Sequence, residues 1–110
     1  MTAIPPKTRR MVDLRSDSLC EGCGEAPATN IHHRQYLSRG GTHALDNLLH
    51  LCGLGNVNGC HGRAHTGEGA ELGWSVQSWD DPQHIPVMYR GVGKWLTLWG
   101  SAVDVGTTDF

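Results

Sequence analysis

Histidines are the residues of this chain whose type and spacing most directly suggest chemistry. The chain has seven histidines among 110 residues, so spacing carries more information than number. His61 and His65 are four residues apart in CHGRAHTG, a spacing that puts both imidazoles on one helix face, close enough to share a metal ion. His32 and His33 are adjacent, and adjacent side chains of a strand point to opposite faces. One of this pair can therefore join His61 and His65 at an ion while the other stays free.

This division of roles suits hydrolysis assisted by a metal ion. A bound ion stabilises developing negative charge, and a free imidazole with a pKa of about 6.5 can deprotonate water. The remaining histidines, His43, His50 and His84, are interpreted as ordinary surface or core residues. His50 is the strongest exception, since its place just before Leu51 and Cys52 could direct it toward the histidine or the cysteine group.

The four cysteines form two groups that could bind one ion. Cys20 and Cys23 have the spacing with which one turn presents two thiolates, and Gly22 and Gly24 ease the bend. Cys52 and Cys60 are separated more widely, by a glycine-rich loop. We favour a structural zinc with four thiolate ligands, which would have no open position for chemistry. The alternatives are four free thiols, or a zinc in which His50 or His61 replaces one cysteine.

Three segments together resemble the HNH endonuclease motif, which has the ββα-metal (His-Me finger) fold. These segments are IHHRQYLSRGG, ALDNLLHLC and CHGRAH, and the similarity extends over about Leu19 to Thr66, under half of the chain. The flanking cysteine pairs make the small phage and prophage HNH proteins the most similar members. The chain also resembles the colicin nucleases, which have a double His, a central Asn and a final pair of histidines without the zinc.

Transferred residue by residue, the resemblance implies a role for each motif position. It implies that His33 is the general base and that His32 is a metal ligand. His61 and His65 match the last histidines of the motif and would be the other two ligands. Asn47 matches the middle letter, and its side-chain amide would hold the loop that carries the base. We expect a backbone carbonyl to bind the second ring nitrogen of the base and to set its tautomer.

The resemblance also implies the reaction and its cofactor. One divalent ion would neutralise charge at a phosphate oxygen and at the 3′ leaving oxygen, and attack by water would leave a 5′ phosphate and a 3′ hydroxyl. Imidazole ligands favour Mn²⁺, Ni²⁺, Co²⁺ or Zn²⁺ over Mg²⁺, which prefers oxygen.

Arginines near the motif are candidate contacts to DNA phosphates. Arg34 directly follows the base and Arg39 lies in the loop before Gly40. For both we favour phosphate contact over plain solvation. Arg63 lies between His61 and His65, and for it the two interpretations are equally weighted.

Charge is distributed unevenly, although the net formal charge is only −2. Residues 1–65 contain seven Lys/Arg and five Asp/Glu, whereas residues 66–110 contain two and six. We expect DNA to meet the first two thirds of the chain, with weak and salt-dependent affinity because so few residues are basic. No segment has the pattern of a base-reading helix, so intrinsic sequence specificity should be low.

The sequence contains no apolar run of the roughly 18 residues that a membrane helix needs, and its first residues do not resemble a signal peptide. We therefore expect no membrane association and a cytoplasmic location, in the cytosol of a bacterial host. In that reducing compartment cysteines bind metals more readily than they form disulfides.

The helices and strands expected to position these residues indicate a small α+β protein with one domain overall. Residues 1–18 form an arm with a short helix over about Lys7–Arg15, whose arginines are expected to be solvated. Residues 19–67 form the nuclease-like core, with ATNIHH and LLHLC as strands and CHGRAHTG as a helix of about two turns. Residues 68–110 form an appendage of short strands, predicted at GWSVQSW, PVMYR and KWLTLWG, packed on the core.

Three functions are compatible with this organisation. The leading hypothesis is a monomeric, metal-dependent endonuclease that nicks or cuts DNA. A second is a zinc-stabilised DNA-binding module with an inactive site. A third is a phage packaging accessory that cleaves only beside a terminase or portal, which the acidic, tryptophan-rich C-terminal part favours.

Overall fold

The computed structural model describes residues 3–55 and 57–106. Its first element is helix α1, Pro6–Ser16, which agrees with the predicted helix to within one residue at each end. The helix begins at Pro6, where the absence of an N–H costs no hydrogen bond because first-turn N–H groups have no acceptor within the helix. It ends where Asp17 adopts a left-handed conformation with φ 54°. Arg15 differs from expectation, because its side chain is only 3% exposed and pairs with Glu21.

A ββα unit follows, as predicted. Strands β1, Asn30–His33, and β2, Leu48–Leu51, pair antiparallel, with His32 opposite Leu49. All four residues of β2 are buried. Helix α2, Gly59–Ala64, comes next and ends just before His65, which is shorter than the predicted two turns to Gly67. A second short helix, α3, Gly67–Glu71, was not predicted.

Two clusters of buried side chains form the core. The larger one joins the ββα unit to the C-terminal part, and its buried members are Cys20, Leu49, Leu51, Cys60, Ala64, Trp74, Val87, Tyr89 and Leu96. The smaller one packs α1 against the start of β2 and comprises Ile4, Val12, Leu45 and Leu48. The nuclease-like segment therefore shares one core with the residues that follow it.

The C-terminal part contains a three-stranded antiparallel sheet, β3-β4-β5. Its strands are β3, Val87–Tyr89, β4, Val92–Leu96, and β5, Ala102–Asp104. The prediction of a strand at GWSVQSW is wrong, because Trp74 and Val76 are buried in irregular backbone. The predicted strand KWLTLWG is confirmed for its first three residues, which lie in β4, and is wrong beyond them. β4 ends at Leu96, and a turn closed by Gly100 at φ 92° leaves Trp99 81% exposed.

None of the helices within the described parts of the chain is both long enough and apolar enough to cross a bilayer.

Candidate active site and cysteine cluster

The four cysteines lie together at the edge of the larger core. Their sulfur atoms are all within 4.8 Å of one another, and none of the four cysteines forms a disulfide. The sulfurs of Cys23 and Cys52 are 4.0 Å apart. Two ligands of a tetrahedral zinc with bonds of about 2.3 Å would be about 3.8 Å apart. The donor set and its spacing therefore fit a zinc ion.

Backbone N–H groups surround the sulfurs in a way that suits thiolates. Cys20 Sγ accepts hydrogen bonds from the N–H groups of Gly22 and Cys52 at 3.3 Å, and Cys52 Sγ accepts one from Cys60 at 3.4 Å. Burial raises the pKa of the Cys20 thiol, but the N–H groups of Cys23, Cys52 and Gly22 outweigh it, and the pKa falls to about 7. Such donors stabilise negative charge on sulfur and orient it toward an ion.

Glycines explain how the wide Cys52 to Cys60 loop closes. A Cβ on Gly53 would lie 2.1 Å from the carbonyl oxygen of Asn58, and one on Gly59 would lie 2.6 Å from the Cα of Gly53. Gly59 also has φ 64°, a conformation that other residues rarely adopt. Only glycine therefore fits at the two ends of the loop that brings the second cysteine pair together.

The alternative ligand sets with a histidine are less compatible with the geometry. His50 Nδ1 lies 2.8 Å from the hydroxyl oxygen of Ser16 instead of facing the sulfurs. His61 lies with His32 and His65 in a second cluster. The geometry thus favours four thiolates at the first cluster and three imidazoles at the second.

The second cluster is the one predicted for catalysis. Ligand atoms of His32, His61 and His65 lie within 4.8 Å of one another. The Nε2 atoms of His61 and His65 are 3.3 Å apart, close to the about 3.4 Å expected for two nitrogens on one tetrahedral zinc with bonds of about 2.1 Å. His32 comes from β1, whereas the other two come from α2 and the residue after it. The crossing of the strand and the helix therefore creates the site.

The surroundings leave one nitrogen of each imidazole for an ion. His32 Nε2 lies 2.7 Å from the Trp74 carbonyl oxygen. Because a carbonyl can only accept a hydrogen bond, Nε2 carries the hydrogen and donates, and Nδ1 of the neutral ring keeps its lone pair. The Tyr36 hydroxyl lies 3.1 Å from His65 Nδ1, which leaves Nε2. His61 Nδ1 is buried and has no partner at hydrogen-bond distance and angle among the described residues, while its Nε2 faces His65.

Burial lowers the pKa of all three imidazoles and thereby favours the neutral form, which is the form that binds a metal ion. Burial, joined by the nearby imidazoles of His61 and His65, lowers the pKa of His32 to about 3. Burial is also the main cause that lowers the pKa of His61 and of His65.

His33 lies beside this cluster in an open cleft. The cleft has a volume of about 350 Å³ and is lined by Ile31, His33, Tyr36, Leu37, His61 and His65. His32 is 3% exposed and lies behind it, so the two adjacent histidines have different surroundings. A molecule in the cleft could therefore meet His33 together with an ion held by the cluster.

The partner of His33 differs from the expected backbone carbonyl. His33 Nε2 lies 2.9 Å from Nδ1 of His43, a residue interpreted from the sequence as ordinary. Burial, followed by the charge of His43, lowers the pKa of His33. His43 and Tyr36 are thus residues of the site that sequence reasoning missed. Their position within the HHRQYLSRGGTH segment was the available signal, but nothing in the spacing shows that the loop folds back on β1.

Asn47 is 1% exposed, and both the nitrogen and the oxygen of its side-chain amide form hydrogen bonds. Its Nδ2 donates to the carbonyls of Gln35 at 3.0 Å and Thr42 at 2.8 Å, and its Oδ1 accepts from the Gln35 N–H at 2.7 Å. Residues 35 and 42 flank the turn between His33 and His43. Asn47 therefore ties down both ends of the loop after β1.

The structure contradicts the phosphate contact predicted for Arg34. This side chain is fully buried, and its guanidinium donates to four backbone carbonyls, those of Asp46, Gly73, Pro82 and Ile85, at 2.6–3.1 Å. No N–H remains directed toward solvent. Arg34 connects the end of β1 to the loops of the C-terminal part.

The other two arginines have different surroundings. Arg39 lies over the Tyr36 ring, 4.4 Å from its centroid, and donates to the Val76 carbonyl at 3.2 Å. Arg63 pairs with Glu68 through two hydrogen bonds, of 3.0 and 2.7 Å, and both side chains are about half exposed. Arg39 is thus next to the cleft, whereas Arg63 already has an anionic partner.

Comparison with known proteins gives one finding. Residues 20–67 match the model of a family described as HNH endonuclease, which is less than half of the chain. No curated protein and no solved structure matches the chain. The matched segment contains all four cysteines and the five histidines of the candidate site, which are His32, His33, His43, His61 and His65.

Proposed function

We propose that this chain, whose residues 20–67 match the HNH endonuclease family, is a metal-dependent endonuclease that hydrolyses DNA phosphodiester bonds. The observation that carries the proposal is the convergence of His32, His61 and His65 beside a cleft that also contains His33. Three clustered imidazoles next to a fourth outside the cluster would provide an ion site and a base in one place.

The proposed chemistry assigns a separate role to each group. A divalent ion at the three imidazoles (Mn²⁺, Ni²⁺, Co²⁺, Zn²⁺ or Mg²⁺) would supply positive charge for the phosphate and the leaving oxygen. His33 takes a proton from the attacking water, and a 5′ phosphate and a 3′ hydroxyl result. Asn47 fixes the loop after the base, and the four cysteines hold a structural zinc. Arg39, which lies over the Tyr36 ring at the edge of the cleft, would contact a phosphate.

Plasmid nicking tests this proposal. Wild type with Mn²⁺ or Ni²⁺ at low salt should convert supercoiled plasmid to the nicked or linear form. His33→Ala should do so more slowly by about 10²- to 10⁴-fold, the usual contribution of a positioned base. His84→Ala is the matched control, because His84 is 76% exposed and lies outside the cleft. Intact supercoiled plasmid with every metal would reject the free nuclease, and equal cutting by His33→Ala would reject this base.

A second candidate function is favoured by exposed tryptophans. Trp79 and Trp99 are 79% and 81% exposed, and Leu98 next to the latter is 45% exposed. Exposed aromatic side chains are typical of protein contact sites. In this alternative the chain assists phage DNA packaging and cuts only with a terminase or portal partner. Activity that requires the added terminase, and that Trp99→Ser abolishes, would distinguish it from the free nuclease.

A further inference from the structure

We propose that His43 is a positioning residue for His33, whose imidazole it holds in the tautomer that can accept a proton from water. This inference rests on the proposed nuclease function and deepens it. It concerns a residue that the motif does not include and that lies ten positions after the base.

The contact between the two rings has the geometry of a hydrogen bond. His33 Nε2 and His43 Nδ1 are 2.9 Å apart, the ring centroids are 5.1 Å apart and the ring planes are inclined by 52°. At this distance one nitrogen carries the proton and the other accepts it. The contact therefore couples the tautomers of the two imidazoles.

Only one of the two arrangements leaves His33 able to act. If Nε2–H of His33 donates to His43, Nδ1 of His33 keeps its lone pair for water. If His43 donates instead, the proton of neutral His33 is on Nδ1 and the base is blocked. In the productive arrangement the proton of water moves to His33 Nδ1 and the hydroxide oxygen forms the new bond to phosphorus. The bond from phosphorus to the 3′ oxygen breaks at the same time, and that oxygen takes a proton from solvent water to become the 3′ hydroxyl. The resulting imidazolium still donates from Nε2 to His43.

The segment that carries His43 is fixed by the same side chain that fixes the segment after His33. Asn47 Nδ2 donates to the carbonyls of Thr42 and Gln35, and the Asn47 N–H donates to the Ala44 carbonyl at 2.9 Å. Both neighbours of His43 in the chain, Thr42 and Ala44, are therefore hydrogen-bonded to Asn47. A partner held in this way restricts the His33 ring more than a mobile surface histidine would.

Substitutions at His43 distinguish positioning from packing. His43→Ala should lower kcat for plasmid nicking by about 10- to 100-fold with little change in KM or in Ni²⁺ affinity. His43→Asn should recover activity to within about three-fold of wild type, because Asn Oδ1 takes the place of Nδ1 as acceptor. His84→Ala is the control. Unchanged kcat in His43→Ala, no recovery in His43→Asn, or loss of bound metal in either variant would overturn the proposal.

Nuclear magnetic resonance provides a readout independent of cleavage. In the zinc-loaded protein, ¹⁵N shifts should show the proton of neutral His33 on Nε2, and His43→Ala should shift the population toward Nδ1–H. A wild-type His33 protonated on Nδ1 would overturn the inference even if the protein cuts DNA. If neutral His33 carries its proton on Nε2 but the protein does not nick DNA, the proposed nuclease function is rejected while the hydrogen bond from His33 to His43 is supported.

Discussion

At the residue scale, the three clustered imidazoles differ in how firmly the protein holds them. His32 is buried and binds a backbone carbonyl, which other elements fix in place. His65 is exposed, and the described residue that binds its Nδ1 is Tyr36, whose ring also stacks on it at 5.2 Å and 23°. Arg39 in turn lies over Tyr36. Orientation of the third ligand therefore depends on one hydroxyl and one stacked ring.

Tyr36→Phe isolates the contribution of that hydroxyl. The variant keeps the stacked ring and removes the hydrogen-bond partner of His65 Nδ1, so metal affinity at the histidine cluster should fall by about 10-fold, as for other partners of metal-bound histidines. Competition with a chromophoric Ni²⁺ chelator measures the change.

His65→Ala provides the comparison for this measurement, because it removes the ligand itself and should lose more affinity than Tyr36→Phe. Equal affinity of Tyr36→Phe and wild type would mean that the Tyr36 hydroxyl does not orient His65.

At the element scale, Arg34 connects parts of the chain that are distant in sequence. It lies directly after β1 and binds carbonyls 39, 48 and 51 positions later, as well as that of Asp46. Burial lowers the pKa of Arg34 to about 10, so the group remains protonated at neutral pH. The planar guanidinium reaches four acceptors at once, which an ammonium group does not.

Arg34→Lys is expected to destabilise the fold without changing DNA contact. Lysine would leave buried carbonyls without donors, and the free energy of unfolding should fall by roughly 2–4 kcal/mol. Urea denaturation measures this loss. The salt dependence is measured on Arg34→Gln, which removes the charge. The slope of log affinity for DNA against log salt should stay the same, whereas a lost phosphate contact would reduce it by about one.

A reduced salt slope together with unchanged stability would restore the original phosphate interpretation of Arg34. Arg39→Gln is the matched comparison, because Arg39 lies beside the cleft with only one carbonyl partner within the described residues.

Local patterns predicted the elements that depend on local chemistry. Two prolines predict the start of α1, and the alternation around His32 and the apolar run before Cys52 predict β1 and β2. Helix α3 was missed because GEGAE has two glycines. Gly69 is buried there against Ala64, where a Cβ would lie 2.2 Å from the Ala64 carbonyl oxygen. Strand β5 was missed because it depends on pairing with β4 and on the ion pair of Lys94 with Asp104.

The candidate site, too, was predictable only where the local sequence determines the direction of a side chain. Spacing predicted that His61 and His65 share a helix face and that one of the adjacent pair His32 and His33 joins them, because helix and strand periodicity determine where side chains point. The resemblance to the HNH motif selected His32. Arg34 was misassigned because its acceptors are carbonyls whose positions depend on the folded C-terminal part. His43 was missed because no periodicity governs the irregular loop that brings it to His33.

At the scale of the whole molecule, the cysteine cluster belongs to the core that joins both sheets. Cys20 and Cys60 pack in one cluster with Trp74, Tyr89 and Leu96. Glu21, between the first two cysteines, is fully buried, binds Arg15 of α1 through two hydrogen bonds and accepts one from the Tyr89 hydroxyl at 2.8 Å. Loss of the first cysteine turn would thus loosen α1, β2 and β3 together.

Removal of the zinc proposed for the four cysteines is therefore expected to unfold the entire chain in one transition. A structural zinc contributes about 10–16 kcal/mol to folding of small domains, comparable to a total stability of about 5–15 kcal/mol. A strong chelator with reductant, or Cys20→Ser, should abolish far-ultraviolet dichroism and native fluorescence together, since all four tryptophans follow residue 67. His65→Ala, which removes an exposed side chain of the other cluster, is the control and should keep the zinc at the cysteines and its melting temperature. Native tryptophan fluorescence in the zinc-free protein would instead mean that the C-terminal sheet folds independently.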